Sequence, residues 1–430
     1  MRYLKRKNDK ASRNRDIENH RTDTDLDVEN NQKVSYAIFL CTLIVVLLTL
    51  TPVIFPALFS SYFGMFTENL NPFELGYQSI FLIVSNVVIF GFGIAFYKKK
   101  IPSLVHDVLD KIRTFEISKR VAIISLAIIL CIYVGLSIPE LSLPETWADY
   151  AILETALEIW PFGQTDDIYV QEQNDRYVRM FLLDASLDVF QNIKLLPFIA
   201  SILVVVFTYL ITVQFCQKRF AGLIAVIVLL QSYMFLKFDT IAVYENFWVL
   251  FFLISLYVIE KKWFLSPVFY ILAFYTKAYV APFFLMTLFT TYRSQISRRT
   301  KIVILISYVV IVSAAIAIVF LGDTVYPDII DVNYNKFILG FQIIIAQLRF
   351  DLFFVMVLLP VTVGLMFLSK NKLKHADSIL ILIFGTIITS PILVTFTYHY
   401  EILPYRFIPL FVFLSIGVGM FFSKKLVKSS

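Results

Sequence analysis

The stretch YAIFLCTLIVVLLTLTPVIFPALFSSY, residues 36–62, is a run of 27 residues without a single Asp, Glu, Lys or Arg. A helix that crosses the roughly 30 Å hydrocarbon core of a bilayer needs about 20 such residues. The run is longer than the core of a signal peptide and lacks a small-residue cleavage site. We therefore expect residues 36–62 to form a retained membrane helix.

Comparable apolar blocks recur along the rest of the chain. Of the 430 residues, 58% are apolar and 16% are charged, which is too little polar surface for a soluble protein of this length. Further spans are predicted at 75–97, 120–137, 195–215, 220–236, 243–259, 264–292, 302–322, 352–369, 378–397 and 404–423. The sequence thus predicts an all-α polytopic membrane protein with about 11–13 transmembrane helices.

The block at residues 264–292 is too long for one crossing and carries Lys277 at its centre. We predict a hairpin of two short helices there, which makes twelve crossings in all. With the N-terminus inside, 30 of the 38 Lys and Arg residues fall on cytoplasmic segments and 20 of the 32 Asp and Glu residues fall outside. We expect a plasma-membrane protein with both termini in the cytoplasm.

The chain divides into three regions by composition. Residues 1–34 are polar and are expected to be a disordered cytoplasmic tail. Residues 35–119 form a two-helix membrane addition with a basic cytoplasmic loop, and residues 120–430 form the main transmembrane domain. The formal net charge of +6 follows from the charge asymmetry across the membrane, so no nucleic-acid partner is expected.

The largest outer loop, residues 138–194, contains eleven acidic residues and three basic ones. Apolar residues recur at helical spacing within 150–160 and again within 178–189. We predict amphipathic helices there, lying along the outer membrane interface, and another at 338–350.

Asp149, in the segment WADYAILE, is the first catalytic candidate. It lies about 40° around the predicted helix from the apolar stripe, which would direct its carboxylate to the membrane surface, where it could accept a proton from a hydroxyl. The alternative is an acid on a solvated face. The adjacent Asp166 and Asp167 are rival candidates, either for catalysis or for binding Mg²⁺ or Mn²⁺.

Lys277 and Arg406 lie where an unpaired cation is expensive, next to long apolar runs. Cations at the outer leaflet suit a lipid phosphate, and the alternative is that they reach the head groups or pair with Glu245 or Glu401. Asp239, Glu245, His399 and Glu401 are candidates for orienting a substrate, although Asp239 suits a helix cap better.

Several common catalytic motifs are absent from the sequence. It contains no Walker A loop, no dinucleotide fingerprint, no HExxH and no CxxC. Nucleotide-driven transport and zinc hydrolysis therefore have no support.

Four stretches resemble, in their order along the chain, the GT-C superfamily of membrane glycosyltransferases. This group includes the protein O-mannosyltransferases, the aminoarabinose transferases and the catalytic subunits of oligosaccharyltransferase. The resemblance covers about residues 120–423. It is carried by PETWADYAILETALEIW (144–160), DRYVRMFLLDASLDVFQNIKLLPFIASIL (175–203), LAFYTKAYVAPFF (272–284) and YRFIPLFVFL (405–414).

The resemblance implies a glycosyltransferase that moves a sugar from a polyprenyl-phosphate donor to an acceptor glycan, lipid or protein outside the cytoplasm. It places the catalytic role on Asp149 and the donor-phosphate contacts on Lys277 and Arg406. Such enzymes generally need no metal, so no metal or other cofactor is predicted.

The chain departs from the family pattern in two places. Two spans precede the helix that would be first in the family, and WADY has one carboxylate where the family often has two, which keeps Asp166 and Asp167 as rivals. The alternatives are a polysaccharide polymerase or lipid-glycan ligase, a transporter of lipid-linked glycans, or a noncatalytic scaffold. A transporter would be expected to carry paired broken helices and a two-fold repeat.

Overall fold

The structure, a computed structural model, describes residues 32–58, 71–161, 163, 165–321, 331–371, 373, 375–396 and 404–423. Within these ranges every regular element is helical and no strand is present, which confirms the all-α class. In chain order the helices are α1 (Gln32–Ile54), α2 (Ser79–Tyr97), α3 (Ser103–Thr114), α4 (Lys119–Leu141), α5 (Tyr150–Ile159), α6 (Ile168–Asn174), α7 (Tyr177–Phe190), α8 (Leu195–Cys216), α9 (Arg219–Leu229), α10 (Tyr233–Lys237), α11 (Phe247–Val258), α12 (Ser266–Thr276), α13 (Phe283–Arg293), α14 (Arg298–Leu321), α15 (Lys336–Leu348), α16 (Leu352–Lys370), α17 (His375–Phe396) and α18 (Ile408–Met420). Short 3₁₀ helices lie at Trp263–Leu265, Ala278–Val280 and Pro404–Phe407.

Seven of the described helices are long and apolar enough to cross a membrane, namely α1, α2, α4, α8, α14, α16 and α17. The apolar helices α9, α11, α12 and α18 have only 11 to 13 residues each. An 11-residue helix rises about 16 Å and cannot cross the hydrocarbon core without the turns beside it. The protein is therefore a polytopic membrane protein, and the count of twelve crossings stays a prediction.

The long helices differ in how much protein surrounds them. In α2, α4 and α14 only 17% of the central apolar window is buried, whereas 67% is buried in α17. The side chains left exposed on the first three are mostly Ile, Val, Leu and Phe. These three helices thus form the lipid-facing periphery, and α17 lies inside the bundle.

The centre of the bundle is built around α18, which packs against α8 and α9. A Cβ atom on Gly419 would lie 2.7 Å from Cγ2 of Thr212 and 2.8 Å from the carbonyl oxygen of Ala221. Glycine therefore allows the end of α18 to approach α8 and α9 closely.

The predicted N-terminal addition is integrated into the bundle. On α1, Ser35 donates to Oδ2 of Asp377 over 2.6 Å and Thr42 donates to the carbonyl of Leu380 over 3.3 Å. On α2, Nδ2 of Asn86 donates to the carbonyl of Met356 over 3.3 Å. Helices α1 and α2 thus pack on α17 and α16 as parts of one bundle. Residues 1–31, most of the predicted disordered tail, lie outside the described residues.

The predicted hairpin at 264–292 is present. Helix α12 ends at Thr276, Lys277 has an extended backbone with φ −158° and ψ 117°, and α13 begins after Pro282. Buried Tyr270 donates to the carbonyls of the turn. A charged residue at the centre of an apolar run therefore marks the point where the helix breaks.

The predicted short helices in the large loop and before α16 are also present, as α5, α7 and α15. On α7 the predicted apolar stripe faces away from the protein, because Phe181 and Val189 are exposed. Its opposite face buries Arg179 and Met180. Helix α15 packs on α17 and buries Phe341. It therefore contacts the helix bundle directly.

Hydrogen bonds and ring contacts group the helix ends into two sets. One set, here called the site end, joins the last turn of α4, the loop 238–246, the turn at Lys277 and the 3₁₀ helix Pro404–Phe407. The other set, here called the basic end, joins the start of α1, the end of α13, the end of α16 and the start of α17.

Candidate functional site

Asp149 is linked to the site end of the bundle by a tyrosine pair. Oη of Tyr244 donates to Oδ2 of Asp149 over 2.7 Å. The Tyr244 ring stacks on the Tyr405 ring with centroids 4.5 Å apart and planes at 18°. Both tyrosines are buried, whereas Asp149 is half-buried. The carboxylate is therefore held by a buried partner, and the residue stays partly exposed.

Lys277 and Arg406 converge on the same tyrosine. Nζ of Lys277 donates to Oη of Tyr405 over 2.6 Å and lies 4.1 Å from the centroid of the Tyr405 ring. Nε of Arg406 donates to the same oxygen over 3.4 Å. The structure thus brings three predicted site residues, Asp149, Lys277 and Arg406, into one chain of contacts through Tyr244 and Tyr405.

The position of Asp149 at the start of α5 explains why its carboxylate is available. It occupies the N-cap position of α5, but its side chain makes no capping hydrogen bond. Trp147 packs edge to face on Tyr244, with centroids 5.0 Å apart, and so supports the ring that holds Asp149.

Lys277 is positioned by the turn between α12 and α13. Oη of Tyr270 donates to the carbonyls of Val280 and Ala281 over 3.1 and 3.2 Å, which ties this turn to α12. Lys277 is 4% exposed, so its ammonium points into the protein. On the other side of the cation pair, the Arg406 guanidinium lies 5.7 Å from the Tyr279 ring centroid.

A fully buried ion pair lies next to the cations. Nε of Arg179 on α7 donates to Oε2 of Glu245 over 2.9 Å, and Nη2 of Arg179 donates to the carbonyl of Val243 over 2.9 Å. Our alternative that Lys277 or Arg406 pairs with Glu245 is not what the structure shows, since Arg179 takes that carboxylate. Glu245 nevertheless lies close enough to Lys277 for its negative charge to stabilise the ammonium.

Asp239 is buried at the site end but does not cap a helix, contrary to our interpretation. Its Oδ2 accepts a hydrogen bond from Ser137 of α4 over 2.7 Å, and the N-cap residue of α11 is Asn246. Burial raises the pKa of the Asp239 carboxyl to about 7, although the hydrogen bond from Ser137 acts in the opposite direction. Asp239 therefore holds the loop before α11 against the end of α4.

The other candidates lie apart from the site or outside the described residues. Asp166 and Asp167 are exposed, and Asp167 caps α6 by accepting from the backbone N–H of Tyr169 over 2.9 Å. Within the described ranges no group of three or more His, Cys, Asp or Glu residues could hold a metal ion. His399 and Glu401 lie outside the described residues.

Several polar atoms near the site are buried and have no hydrogen-bond partner in the part of the chain that the structure describes. They include Oε1 of Glu245, Oδ1 of Asn246, Nε1 of Trp248 and Oη of Tyr279. The Trp248 and Tyr279 rings pack edge to face, with centroids 5.4 Å apart. Buried polar atoms cost free energy unless water or a ligand satisfies them, so this region has unused hydrogen-bonding capacity.

Sequence reasoning missed Tyr244, Tyr405 and Arg179. Tyrosine is frequent in this chain, with 23 residues, so no single tyrosine stands out. Arg179 was counted only as one of three basic residues in an acidic loop. No signal in the sequence marks Arg179 as buried, because it lies on the face of α7 opposite to the predicted apolar stripe.

No family model, no curated protein and no solved structure matches the chain.

Proposed function

We propose that the protein is a glycosyltransferase that moves a sugar from a polyprenyl-phosphate donor to an acceptor hydroxyl on the extracytoplasmic face of a plasma membrane. One observation carries the proposal. A half-exposed carboxylate, Asp149, and two cations, the buried Lys277 and the half-buried Arg406, are joined by the stacked pair Tyr244 and Tyr405. Transfer from a phosphate donor requires a base and an anion site close together.

In this mechanism Asp149 accepts the proton of the acceptor hydroxyl as its oxygen bonds to the anomeric carbon of the sugar. The bond from that carbon to the donor phosphate breaks, and its electron pair leaves with the phosphate oxygen. The hydrogen bond from Tyr244 fixes one carboxylate oxygen and leaves the other for the acceptor. The transfer is a single displacement and inverts the anomeric centre.

Lys277 and Arg406 bind the phosphate before and after transfer. Both cations donate to the phenol oxygen of Tyr405 in the structure, and a charged phosphate offers them more acceptor oxygens than this phenol does. Binding of the donor exchanges this phenol for phosphate oxygens. The leaving phosphate is then stabilised by charge and needs no proton.

The unpartnered atoms beside the cations support a polar substrate. Glu245 and Asn246 offer acceptors, and Trp248 and Tyr279 offer donors. A sugar has several hydroxyls that both donate and accept. We propose that these atoms orient the donor sugar.

The test uses the purified protein in phospholipid vesicles with a panel of radiolabelled polyprenyl-phosphate sugars and measures release of polyprenyl phosphate. We expect Asp149→Asn to lower turnover by about 100-fold or more, as for loss of a general base, while donor binding persists. Glu154→Gln, on an exposed position of the same helix, is the matched control and should retain full turnover.

Two results would change the assignment. Full activity of Asp149→Asn together with loss in Asp166→Asn or Asp167→Asn would move the base to the acidic pair. Absence of turnover with every donor, but tight binding of lipid-linked sugars, would favour the transporter alternative.

A further inference from the structure

Helix α3, outside the candidate site, has one apolar face and one charged face. Leu104, Val108 and Ile112 follow one another at intervals of four residues and lie on one side. All three are exposed, by 72%, 49% and 42% respectively. The opposite side carries His106 and Asp110, which form an ion-pair contact of 3.1 Å if the histidine is protonated.

The apolar face of α3 has no cover in the part of the chain that the structure describes, where no residue of this helix is buried. The helix is nevertheless held in place at both ends. The His106 ring stacks on Phe96 of α2, with centroids 5.1 Å apart, and Phe115 packs on Phe220 of α9, also at 5.1 Å. Lys218 donates to the carbonyl of Arg113. These contacts fix α3 beside the ends of α2, α4 and α9, where the apolar spans give way to polar chain.

The charge around α3 is strongly positive. Residues 98–120 contain seven Lys and Arg residues and three Asp and Glu residues. Lys98, Lys99 and Lys100 are consecutive and exposed at the end of α2, and Lys119 and Arg120 are exposed at the start of α4. Lys111 lies at the edge of the apolar face, where a long side chain can bury its methylene groups and still reach a head group.

We infer that α3 lies in the membrane interface at the basic end, with Leu104, Val108 and Ile112 among the acyl chains, and that the surrounding cations bind anionic phospholipid head groups. An uncovered apolar stripe fixed at the bilayer boundary fits acyl chains, and a cluster of cations next to two spans fits anionic head groups. The inference concerns the opposite end of the bundle from the candidate site and does not rest on the proposed function.

The first experiment locates the apolar face. Val108→Cys is labelled with an environment-sensitive fluorophore in the full chain, after Cys41, Cys131 and Cys216 have been replaced by alanine. Asp107→Cys, on the polar side of the same helix, is the matched control. In vesicles of phosphatidylcholine and phosphatidylglycerol, we expect the label at 108 to show apolar emission and several-fold weaker quenching by a water-soluble quencher than the label at 107. Equal quenching at both positions would overturn the inference.

The second experiment identifies the lipid. Nitroxide-labelled phosphatidylglycerol should quench the fluorophore at position 108 several-fold more than nitroxide-labelled phosphatidylcholine at the same fraction. Replacing Lys98, Lys99 and Lys100 by glutamine should remove most of this preference, whereas Arg298→Gln with Arg299→Gln should leave it. Equal quenching by both lipids in the chain with all lysines intact would overturn the binding of anionic lipid. Protection that appears only at high protein density would assign the face to a second copy of the chain, which also contradicts the inference.

Discussion

Asp377 at the basic end and Lys277 at the site end are both buried charges, but their partners differ in kind. At the basic end the Asp377 carboxylate accepts from Ser35 and Arg293 on one oxygen and from Ser369 on the other. At the site end Lys277 and Arg406 both donate to the phenol of Tyr405. Among the described residues, no carboxylate lies within ion-pair distance of either cation.

This difference separates a structural charge from a charge that is available for a ligand. A buried ion pair with satisfied oxygens holds helices together, and losing one partner leaves an uncompensated charge. The buried Lys277 has lost contact with water, and among the described residues its partner is a phenol oxygen and not a carboxylate. Such a site is stabilised when a phosphate or another anion enters, whereas the Asp377 carboxylate already has the Arg293 cation as its partner.

The largest effect on stability is expected at the basic end. Asp377→Asn leaves Arg293 buried without its counter-charge and should lower the free energy of unfolding by about 3–5 kcal/mol. Denaturant unfolding of the purified protein in detergent measures this loss. Asp166→Asn, an exposed acid, is the control and should change stability by less than about 0.5 kcal/mol. Equal effects of the two variants would remove the structural role of the Arg293–Asp377 pair.

The next largest effect concerns Asp239, a buried carboxylate at the site end. Its partner is the hydroxyl of Ser137, whereas the partner of Asp377 is the cation of Arg293. Because burial raises its pKa to about 7 from an ordinary value near 3.8, the folded state prefers the protonated acid. The stability that this preference contributes is complete below about pH 4 and is lost as the pH rises through 7. Between pH 4 and 8 the wild type should therefore lose up to about 4 kcal/mol of unfolding free energy through Asp239. The Asp239→Asn variant should not show this loss.

The measurement is denaturant unfolding of the wild type and Asp239→Asn at a series of pH values. Asparagine keeps an oxygen for the hydroxyl of Ser137, so the loop should stay in place. If the unfolding free energies of the two proteins change in parallel with pH, burial does not favour the protonated form of Asp239. That result would contradict the prediction.

The sequence predicted those features that depend on local contrast between charged and apolar residues. The apolar blocks locate the spans, and Lys277 marks the break in the hairpin because a cation inside such a block is rare. Arg406 was proposed in the same way, at the end of the last apolar span, whereas Asp149 was proposed from its place on a predicted amphipathic helix and from the family resemblance.

The features that the sequence did not predict depend on partners far apart in the chain. Arg179 meets Glu245 across 66 residues, and Ser137 meets Asp239 across 102. Nothing in the composition of either segment selects one partner over another, since the choice depends on how α4, α7 and α11 pack. The assignment of Asp239 as a cap was wrong for this reason, because a tertiary partner replaced the local one.

The last comparison is between stability and binding at Lys277 itself. Because its ammonium has no described carboxylate partner, Lys277→Met, which keeps the length and removes the charge, should leave the free energy of unfolding within about 1 kcal/mol of the wild type or raise it. The same change should weaken binding of a fluorescent polyprenyl phosphate by at least about tenfold, since a charge-assisted hydrogen bond is lost. Lys237→Met, at an exposed cation over the Trp147 ring, is the matched control and should leave that affinity unchanged. A loss of stability as large as that of Asp377→Asn with normal affinity for the lipid phosphate would make Lys277 structural, and the two ends of the bundle would then serve the same purpose.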